Sequence, residues 1–459
     1  MERKNVWTTY TQKQLIELES LNALYKEFLD KGKTERECTA QAIEMAKAHG
    51  YLDLETIIAE HKTLKPGDKV YATCMKKTLI MFNIGKEPLE KGMTILGSHI
   101  DSPRLDIKQN PLYEDNEIAY LDTHYYGGVK KYQWVTIPLA IHGVICKKDG
   151  SSIEVVIGED EKDPVFCISD ILIHLAAEQM DKKVTKAIEG EALDIIVGSK
   201  PLKGKEKDAV KEGILSLLNQ KYKIEEDDFL SAELEVVPAG NARDAGFDSS
   251  MIIGYGQDDR VCAYTSLVAM LEVEDTVKTT CCILADKEEI GSVGATGMEA
   301  KFFENTVAEL LNCLGSYSDL SLRRCLSHSR MLSSDVSAAF DPQFASCYEK
   351  KNSAFFGRGI VFNKYTGAKG KGGSNDANAE YVSVIRKIMD DNNIAFQTAE
   401  LGKVDQGGGG TIAYILAHYG MEVIDCGVAV LNMHAPWEMT SKADIYEAKK
   451  GYVAFLKEA

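Results

Sequence analysis

The sequence lacks long apolar runs and lacks an excess of basic residues. None of its 459 residues lies in a stretch approaching 18 consecutive apolar residues, the length expected of a transmembrane helix. The start, MERKNVWTTYTQKQLIELES, has no apolar core of the kind that marks a secretory signal. The 53 basic and 70 acidic residues give a formal net charge of -17, which disfavours nucleic acids and anionic membranes as partners. We therefore expect a cytoplasmic protein with no nucleic-acid and no membrane partner.

Paired cysteine motifs are also missing. The eleven cysteines include no CxxC pair, and their number is odd. This pattern argues against both a disulfide framework and a closed structural zinc site. We expect reduced thiols that mainly fill the core.

Two kinds of pattern divide the chain. Residues 1–105 and 238–459 alternate short apolar strands with amphipathic helices, which predicts an α/β domain with a mixed, mostly parallel sheet flanked by helices. Residues 106–237 have charged, turn-rich strands, an apolar helix predicted over DILIHLAAEQM and a Lys- and Glu-rich helical stretch. We interpret this middle part as an inserted, β-rich domain.

The stretch TILGSHIDSP (94–103) ends an apolar strand on two polar side chains. Alternate side chains of a strand point the same way, so His99 and Asp101 lie on one side, close enough to hydrogen-bond. A carboxylate in that position can orient a metal-binding imidazole. The alternative is that the strand has simply reached solvent.

Four further acidic or imidazole clusters occur at similar strand ends, where open α/β sheets place their ligands. They are QDDRVCAYTSL with Asp258 and Asp259, DKEEIGSVGATG with Glu288 and Glu289, SSDVSAAFDP with Asp335, and LNMHAPWEM with His434. Each has an ordinary structural alternative: a helix cap, a solvated charge pair, a turn residue and a core histidine.

Together, two imidazoles and three carboxylates fit a pair of divalent ions about 3.5–4 Å apart, with one carboxylate shared by both. Such ligands suit zinc, cobalt or manganese. Of two adjacent glutamates, one can bind metal while the other transfers protons, because neighbouring side chains in an extended loop point apart. A metal-bridging water, activated by a carboxylate base, can attack a carbonyl, which predicts peptide or amide hydrolysis.

These motifs, in this order and with a long insert after GSHIDSPRLDIK, resemble those of M18-family, aspartyl-aminopeptidase-like metalloaminopeptidases, and the likeness suggests a bacterial member. The resemblance implies removal of N-terminal amino acids from peptides by a dinuclear zinc enzyme. The metal ligands that it implies are His99, Asp258, Glu289, Asp335 and His434, with Asp258 bridging. It gives Asp101 the role of orienting His99, and Glu288 the role of general base.

The same resemblance implies that the insert mediates dimerisation. It further implies that dimers assemble into a closed homododecamer whose interior holds the active sites and admits peptides.

One position departs from the family pattern. Members selective for acidic residues carry a lysine facing the substrate side chain, but GIVFNKYT has Asn363 there, with Lys364 next to it. Lys364 is therefore a candidate substrate-binding residue only if the loop shifts by one position. Otherwise the first pocket is expected to prefer neutral or apolar N-terminal residues, because an acidic side chain would need a cation.

Two alternatives stay open at this level. A dinuclear carboxypeptidase or deacylase can use the same ligands, and a catalytically idle oligomeric scaffold could retain the metal site for stability.

Overall fold

The structure is a computed structural model that describes residues 4–367 and 369–459. It divides into two compact units. The first comprises residues 1–101, 242–433 and 438–459, and the second comprises residues 102–241 and 434–437. The boundaries predicted from the sequence lie at 105/106 and 237/238.

The first unit is built on a nine-stranded sheet with the order β1-β2-β3-β13-β4-β14-β18-β16-β17 and on a five-stranded sheet with the order β11-β12-β20-β19-β15. The strands of this unit are β1 Leu52–Asp53, β2 Lys69–Cys74, β3 Thr78–Asn83, β4 Met93–His99, β11 Arg243–Ala245, β12 Met251–Gly254, β13 Thr279–Ala285, β14 Arg330–Ser334, β15 Ser337–Ala338, β16 Ile360–Asn363, β17 Phe396–Thr398, β18 Glu422–Gly427, β19 Ala429–Leu431 and β20 Glu438–Ser441. In the large sheet β13, β4, β14 and β18 run parallel. β3 runs antiparallel to β2 and β13, and β16 runs antiparallel to β18 but parallel to β17. The predicted mixed, mostly parallel α/β architecture is confirmed.

Helices cover both faces of the nine-stranded sheet, and its central strands are therefore buried on both sides. In β3, Leu79 and Met81 belong to one hydrophobic core while Ile80 and Phe82 belong to the other, as strand alternation requires. Helices of this unit are α1 Gln12–Lys31, α2 Glu35–Ala48, α3 Leu54–Ala59, α7 Gln257–Glu272, α8 Phe302–Cys313, α9 Asp319–Ser327, α10 Ala379–Asp391, α11 Ala413–Ala417 and α12 Lys442–Glu458. Residues of α7, α10 and α12 pack in the first core, and those of α8, α9 and α11 pack in the second.

Local signals in the sequence explain where the first helices begin. Thr11 accepts from the backbone N–H of Gln14, whose side chain accepts from the N–H of Thr11, and this capping box starts α1. Thr34 and Glu37 form the same arrangement at the start of α2.

The second unit is a six-stranded antiparallel sheet with the order β8-β7-β10-β5-β6-β9. Its strands are β5 Arg104–Asp115, β6 Ile118–Tyr126, β7 Leu139–Cys146, β8 Ser152–Ile157, β9 Ile195–Gly198 and β10 Ala232–Pro238. Its helices are α4 Ala177–Met180, α5 Val184–Ala187 and α6 Ala209–Tyr222. The start of α6 is held by Glu114, which accepts from the N–H groups of Val210 and Lys211 at 2.8 Å each.

The prediction of a continuous apolar helix over DILIHLAAEQM is wrong. A 3-10 turn spans Ile173–Leu175, and α4 then covers only Ala177–Met180. Asp170 accepts from the N–H of Ile171 and from the amide of Gln179, a local arrangement that competes with a helix. The large apolar side chains of this segment are exposed, so the unit offers no core face that would stabilise a longer helix.

Across both described stretches of the chain, no helix combines the length and apolar character needed to cross a membrane.

Candidate metal centre

His99 and Asp101 lie where β4 ends, in the middle of the nine-stranded sheet. Both side chains are buried. The His99 Nδ1 atom is 3.0 Å from the carbonyl oxygen of Asp101 and 3.3 Å from its Oδ1. Asp101 also accepts from the backbone N–H groups of Glu288 and Glu289, at 3.2 Å each. One buried carboxylate therefore holds both the imidazole and the glutamate turn.

Asp258 and Asp259 begin α7 with non-helical backbone angles, and the peptide bond between them is cis. The Oδ1 of Asp258 is 3.3 Å from the Nε2 of His99. The Oδ2 of Asp259 accepts from the backbone N–H of His99 at 3.3 Å. The two aspartates thus contact different parts of the same histidine.

Glu288, Glu289 and Asp335 come from two further strand ends. Glu288 and Glu289 belong to a 3-10 helix over Glu288–Ile290 that follows β13, and Asp335 follows β14. The His99 Nε2 atom lies 3.7 Å from Glu288 Oε2 and 3.9 Å from Asp335 Oδ1. The backbone N–H of Asp335 donates to the carbonyl of Cys426 at 2.6 Å, which fixes the chain at this point.

Three groups of side chains offer potential ligand atoms that all lie within 4.8 Å of one another. These groups are His99 with Asp258 and Glu289, His99 with Glu288 and Asp335, and Asp258 with Asp259 and Asp335. Because the groups share members, they form one continuous cluster rather than separate sites.

The cluster is electrostatically crowded. Burial raises the pKa of Glu288 to about 8; repulsion from Asp335 and Asp101 adds to the rise, while His99 opposes it. Burial and the charge of Asp335 also raise the pKa of Asp259 well above its usual range. Burial disfavours protonation of His99, but its contacts with Asp101 and Asp258 outweigh this and raise its pKa. The carboxylates therefore repel one another.

A divalent cation fits this donor set. The atoms that converge are imidazole nitrogen and carboxylate oxygen, the ligands of catalytic zinc, cobalt and manganese, and none of the three groups includes a cysteine. A bound cation would offset the repulsion that raises the pKa of Glu288 and Asp259. The buried Asp101 supplies the outer contact that metal-binding histidines usually make.

Besides Asp101, which contacts His99, two predicted site residues lie outside these groups. His434 belongs to the segment 434–437 of the second unit, and its Nδ1 is 2.9 Å from the carbonyl oxygen of Gly128. Lys364 follows β16 with its side chain about half exposed, and its Nζ is 3.4 Å from Asp376 Oδ1. Asn363 is buried, and its amide donates to the carbonyl of Ala399 at 3.0 Å.

One acidic side chain beside the cluster was not predicted from the sequence. Glu438 is buried and accepts from the backbone N–H of Asp258 at 2.9 Å. The available signal was its position between Trp437 and Met439, where a charged residue interrupts apolar neighbours. Asp259 was considered only as an alternative to Asp258, yet it holds the backbone of His99.

Comparison with known proteins agrees with the site chemistry. The sequence profile of the family described as "Aminopeptidase I zinc metalloprotease (M18)" matches residues 28–456. A "Probable M18 family aminopeptidase 1" from Clostridium acetobutylicum is 64% identical over 456 residues, covering 99% of this chain and 98% of the relative. The crystal structure of an M18-family aminopeptidase from Thermotoga maritima has a TM-score of 0.95 at 44% identity and covers 100% of both chains.

A more distant structure is described as an S. cerevisiae mApe1 dodecamer. It has a TM-score of 0.76 at 21% identity and covers 95% of this chain and 96% of its own, so the similarity is one of fold. The family profile spans most of the chain, and the bacterial relatives match it nearly end to end. The predicted family is confirmed: the chain belongs to the M18 zinc metalloproteases, and its enzyme class is that of the aminopeptidases, hydrolases that act on peptides.

Proposed function

We propose that this aminopeptidase removes N-terminal amino acids from peptides by hydrolysis at two divalent ions held by the candidate metal centre. The observation that carries the proposal is the convergence of potential ligand atoms from His99, Asp258, Glu289 and Asp335 at the ends of separate elements. Zinc is the family's metal, and the same donors also suit cobalt or manganese.

The proposed ligands are His99, Asp258, Glu289, Asp335 and His434, with Asp258 shared by both ions. Five ligands exceed the three or four that a single tetrahedral site uses, which favours two ions. Asp258, like His99 and Asp335, belongs to two of the overlapping groups. Its assignment as the shared ligand comes from the family motif QDDRVCAYTSL. His434 is assigned from the family motif NMHAPWEM.

Bound zinc ions supply a Lewis acid that polarises the peptide carbonyl and acidifies a water molecule. Glu288 is proposed to take the proton from the attacking water and to pass it to the leaving amine. Its Oε2 lies 3.7 Å from His99 Nε2, so it is near the ligands, and its N–H is anchored by Asp101. Asp101 orients His99 and fixes the turn that presents Glu288.

The first substrate pocket is proposed to prefer neutral or apolar side chains. Lys364 forms an ion pair with Asp376, which partly offsets the positive charge of Lys364. Asp376 also contacts Lys371, at 3.2 Å. Asn363 carries no charge. An acidic N-terminal residue would then approach the carboxylates of the cluster without a dedicated cation.

The insert is proposed to join copies of the chain into dimers, and the dimers to assemble into a dodecamer. The proposed location of the enzyme is the cytoplasm. Its support is an exposed apolar segment in the second unit, where Ile171, Leu172, Ile173 and Leu175 are between 47% and 69% exposed. Apolar side chains exposed together usually mark an interaction surface.

The proposal is tested by turnover of aminoacyl amides after metal removal and reloading. We expect leucyl amide to be hydrolysed faster than aspartyl amide, and activity to rise to a plateau at two equivalents of zinc per chain. N-acetylleucyl amide should not be hydrolysed. Turnover of the acetylated substrate alone would instead indicate a deacylase, and full activity at one equivalent would contradict the two-ion assignment.

A further inference from the structure

A buried aspartate that is absent from the proposed ligand set lies beneath the candidate metal centre. Asp425 on β18 pairs with Ser333 on β14 and with Asn363 on β16. Ser333 in turn pairs with Gly97 on β4. His99 and Asp335 each lie two residues farther along their strands, so they share a sheet face with Gly97 and Ser333.

Asp425 holds the end of a glycine segment. Its Oδ1 accepts from the hydroxyl of Thr411 at 2.5 Å. Four consecutive glycines, 407–410, come immediately before Thr411. Glycines lose the most conformational freedom on ordering, so this segment needs an anchor to keep one position. Asp425 provides that anchor from inside the sheet.

One packing distance and two electrostatic interactions put the anchored segment near the proposed catalytic side chains. The charge of Asp335 is close enough to add to the pKa of Asp425, which burial raises to about 7. A Cβ built on Gly97 would lie 3.2 Å from the Cδ1 of Ile412, so Ile412 packs two residues before His99. The charge of Glu288 likewise contributes to a raised pKa of Tyr414.

The glycine segment is also tied at its middle. The backbone N–H of Gly409 donates to the carbonyl of Thr366 at 2.9 Å. With no side chains at 407–410, a bound peptide could approach the main chain closely and hydrogen-bond its N–H and C=O groups. This is the type of surface that recognises the backbone of a peptide regardless of its sequence.

We propose that Asp425 and Thr411 are positioning residues of the aminopeptidase reaction. Their hydrogen bond fixes Gly407–Gly410 as a wall of the substrate site that binds the peptide backbone. This inference rests on the proposed function, because it assigns a role relative to the proposed catalytic centre. Neither side chain contacts the reacting atoms.

The test compares Thr411→Val, which removes the hydroxyl at constant shape, with Thr411→Ser, which retains it. Thr306→Val is the matched control, since Thr306 donates to the carbonyl of Phe302 within α8. Steady-state kinetics on leucyl amide use the zinc-loaded full chain, and amide hydrogen exchange of residues 407–411 uses the zinc-free chain.

We expect Thr411→Val to raise KM and to lower kcat/KM by about 10- to 100-fold, a range typical of misplaced substrate-binding groups. Amide exchange at 407–411 in Thr411→Val should accelerate at least about tenfold, while its zinc content stays near wild type. The control Thr306→Val should show wild-type kinetics and exchange. Thr411→Ser, which keeps the hydroxyl, should show kinetic constants and amide exchange near wild type. If Thr411→Val does not fold, Asp425→Ala, which removes the acceptor of the Thr411 hydroxyl, is measured by the same exchange experiment and should show the same acceleration at 407–411.

Wild-type kinetics and exchange in Thr411→Val would overturn the anchoring role, and so would equal losses in the Val and Ser variants. A wild-type protein that fails to hydrolyse any aminoacyl amide would contradict the proposed function instead. The exchange measurement distinguishes the two failures, since it needs neither substrate nor metal.

Discussion

Replacing Asp101 by asparagine should weaken both zinc binding and the fold. The wild-type carboxylate approaches the imidazole of His99 at 3.3 Å and accepts two backbone N–H groups, from Glu288 and Glu289, at 3.2 Å each. Asparagine has one acceptor oxygen, so its NH₂ group would face one of these three groups. Because Asp101 is buried, water cannot readily take over the lost contact.

The magnitude follows from those contacts. One backbone N–H left without an acceptor costs about 1–3 kcal/mol of stability. Loss of the carboxylate that orients a metal-binding histidine typically weakens metal binding by about 10–100-fold, or ~1.4–2.7 kcal/mol. We therefore expect Asp101→Asn to show a zinc Kd raised about 10–100-fold and a zinc-free unfolding free energy lowered by about 1–3 kcal/mol.

The assay is competition for zinc against a chromophoric chelator, together with denaturant unfolding of the zinc-free chain. Asp53→Asn is the matched control: Asp53 caps α3 by accepting from the N–H of Glu55 at 3.0 Å, and asparagine caps helices about equally well. A zinc Kd within twofold of wild type, measured beside a clear loss of stability, would refute the orienting role and leave Asp101 a purely structural residue.

Glu288→Gln keeps the size of the side chain but removes the base, so kcat should fall by about 10²–10⁴-fold while zinc content stays normal. Loss of zinc from this variant would instead indicate that Glu288 is the metal ligand and Glu289 the base. The double substitution Ile173→Glu and Leu175→Glu should reduce the particle mass in light scattering, with Leu217→Glu, also exposed in the second unit, as control; unchanged mass would put the interface elsewhere. Burial raises the pKa of Asp444 to about 7 even though backbone N–H groups partly offset it, so the folded chain binds this proton more tightly than the unfolded chain does. Stability from this group is therefore lost as pH rises toward 7, and Asp444→Asn should gain about 1–3 kcal/mol relative to wild type between pH 5 and pH 8 in denaturant titrations; a pH-independent difference would contradict the shift.

Local periodicity predicted the parts of the site that depend on one strand. The spacing of His99 and Asp101 was sufficient, because alternation along β4 determines which side chains share a face. It could not choose between Asp258 and Asp259, since both belong to a non-helical start of α7 whose geometry depends on contacts far along the chain. Glu438, which holds the backbone of Asp258 from β20, illustrates the same limit.

The wrong helix over DILIHLAAEQM has a related cause. Its apolar residues match a helical period, but a helix of that length forms only when a core accepts its apolar face. In the second unit the face is exposed, and Asp170 instead hydrogen-bonds the local backbone. The roles assigned to the site residues all stay predictions, and the three overlapping ligand groups include neither His434 nor Lys364.

The order of strands in the nine-stranded sheet has a consequence for synthesis on the ribosome. β13 lies between β3 and β4, yet β4 ends at His99 and β13 begins at Thr279, about 180 residues later. At roughly 5–20 residues per second, β3 and β4 emerge ~10–40 s before the strand that joins them. The six strands β5–β10 are contiguous in the chain and can pair during that interval. β14, the other neighbour of β4, is made later still, from Arg330. Nascent chains should therefore pass through a state with a folded insert and three unpaired apolar strand edges, one of β3 and both of β4, the kind of species that chaperones bind.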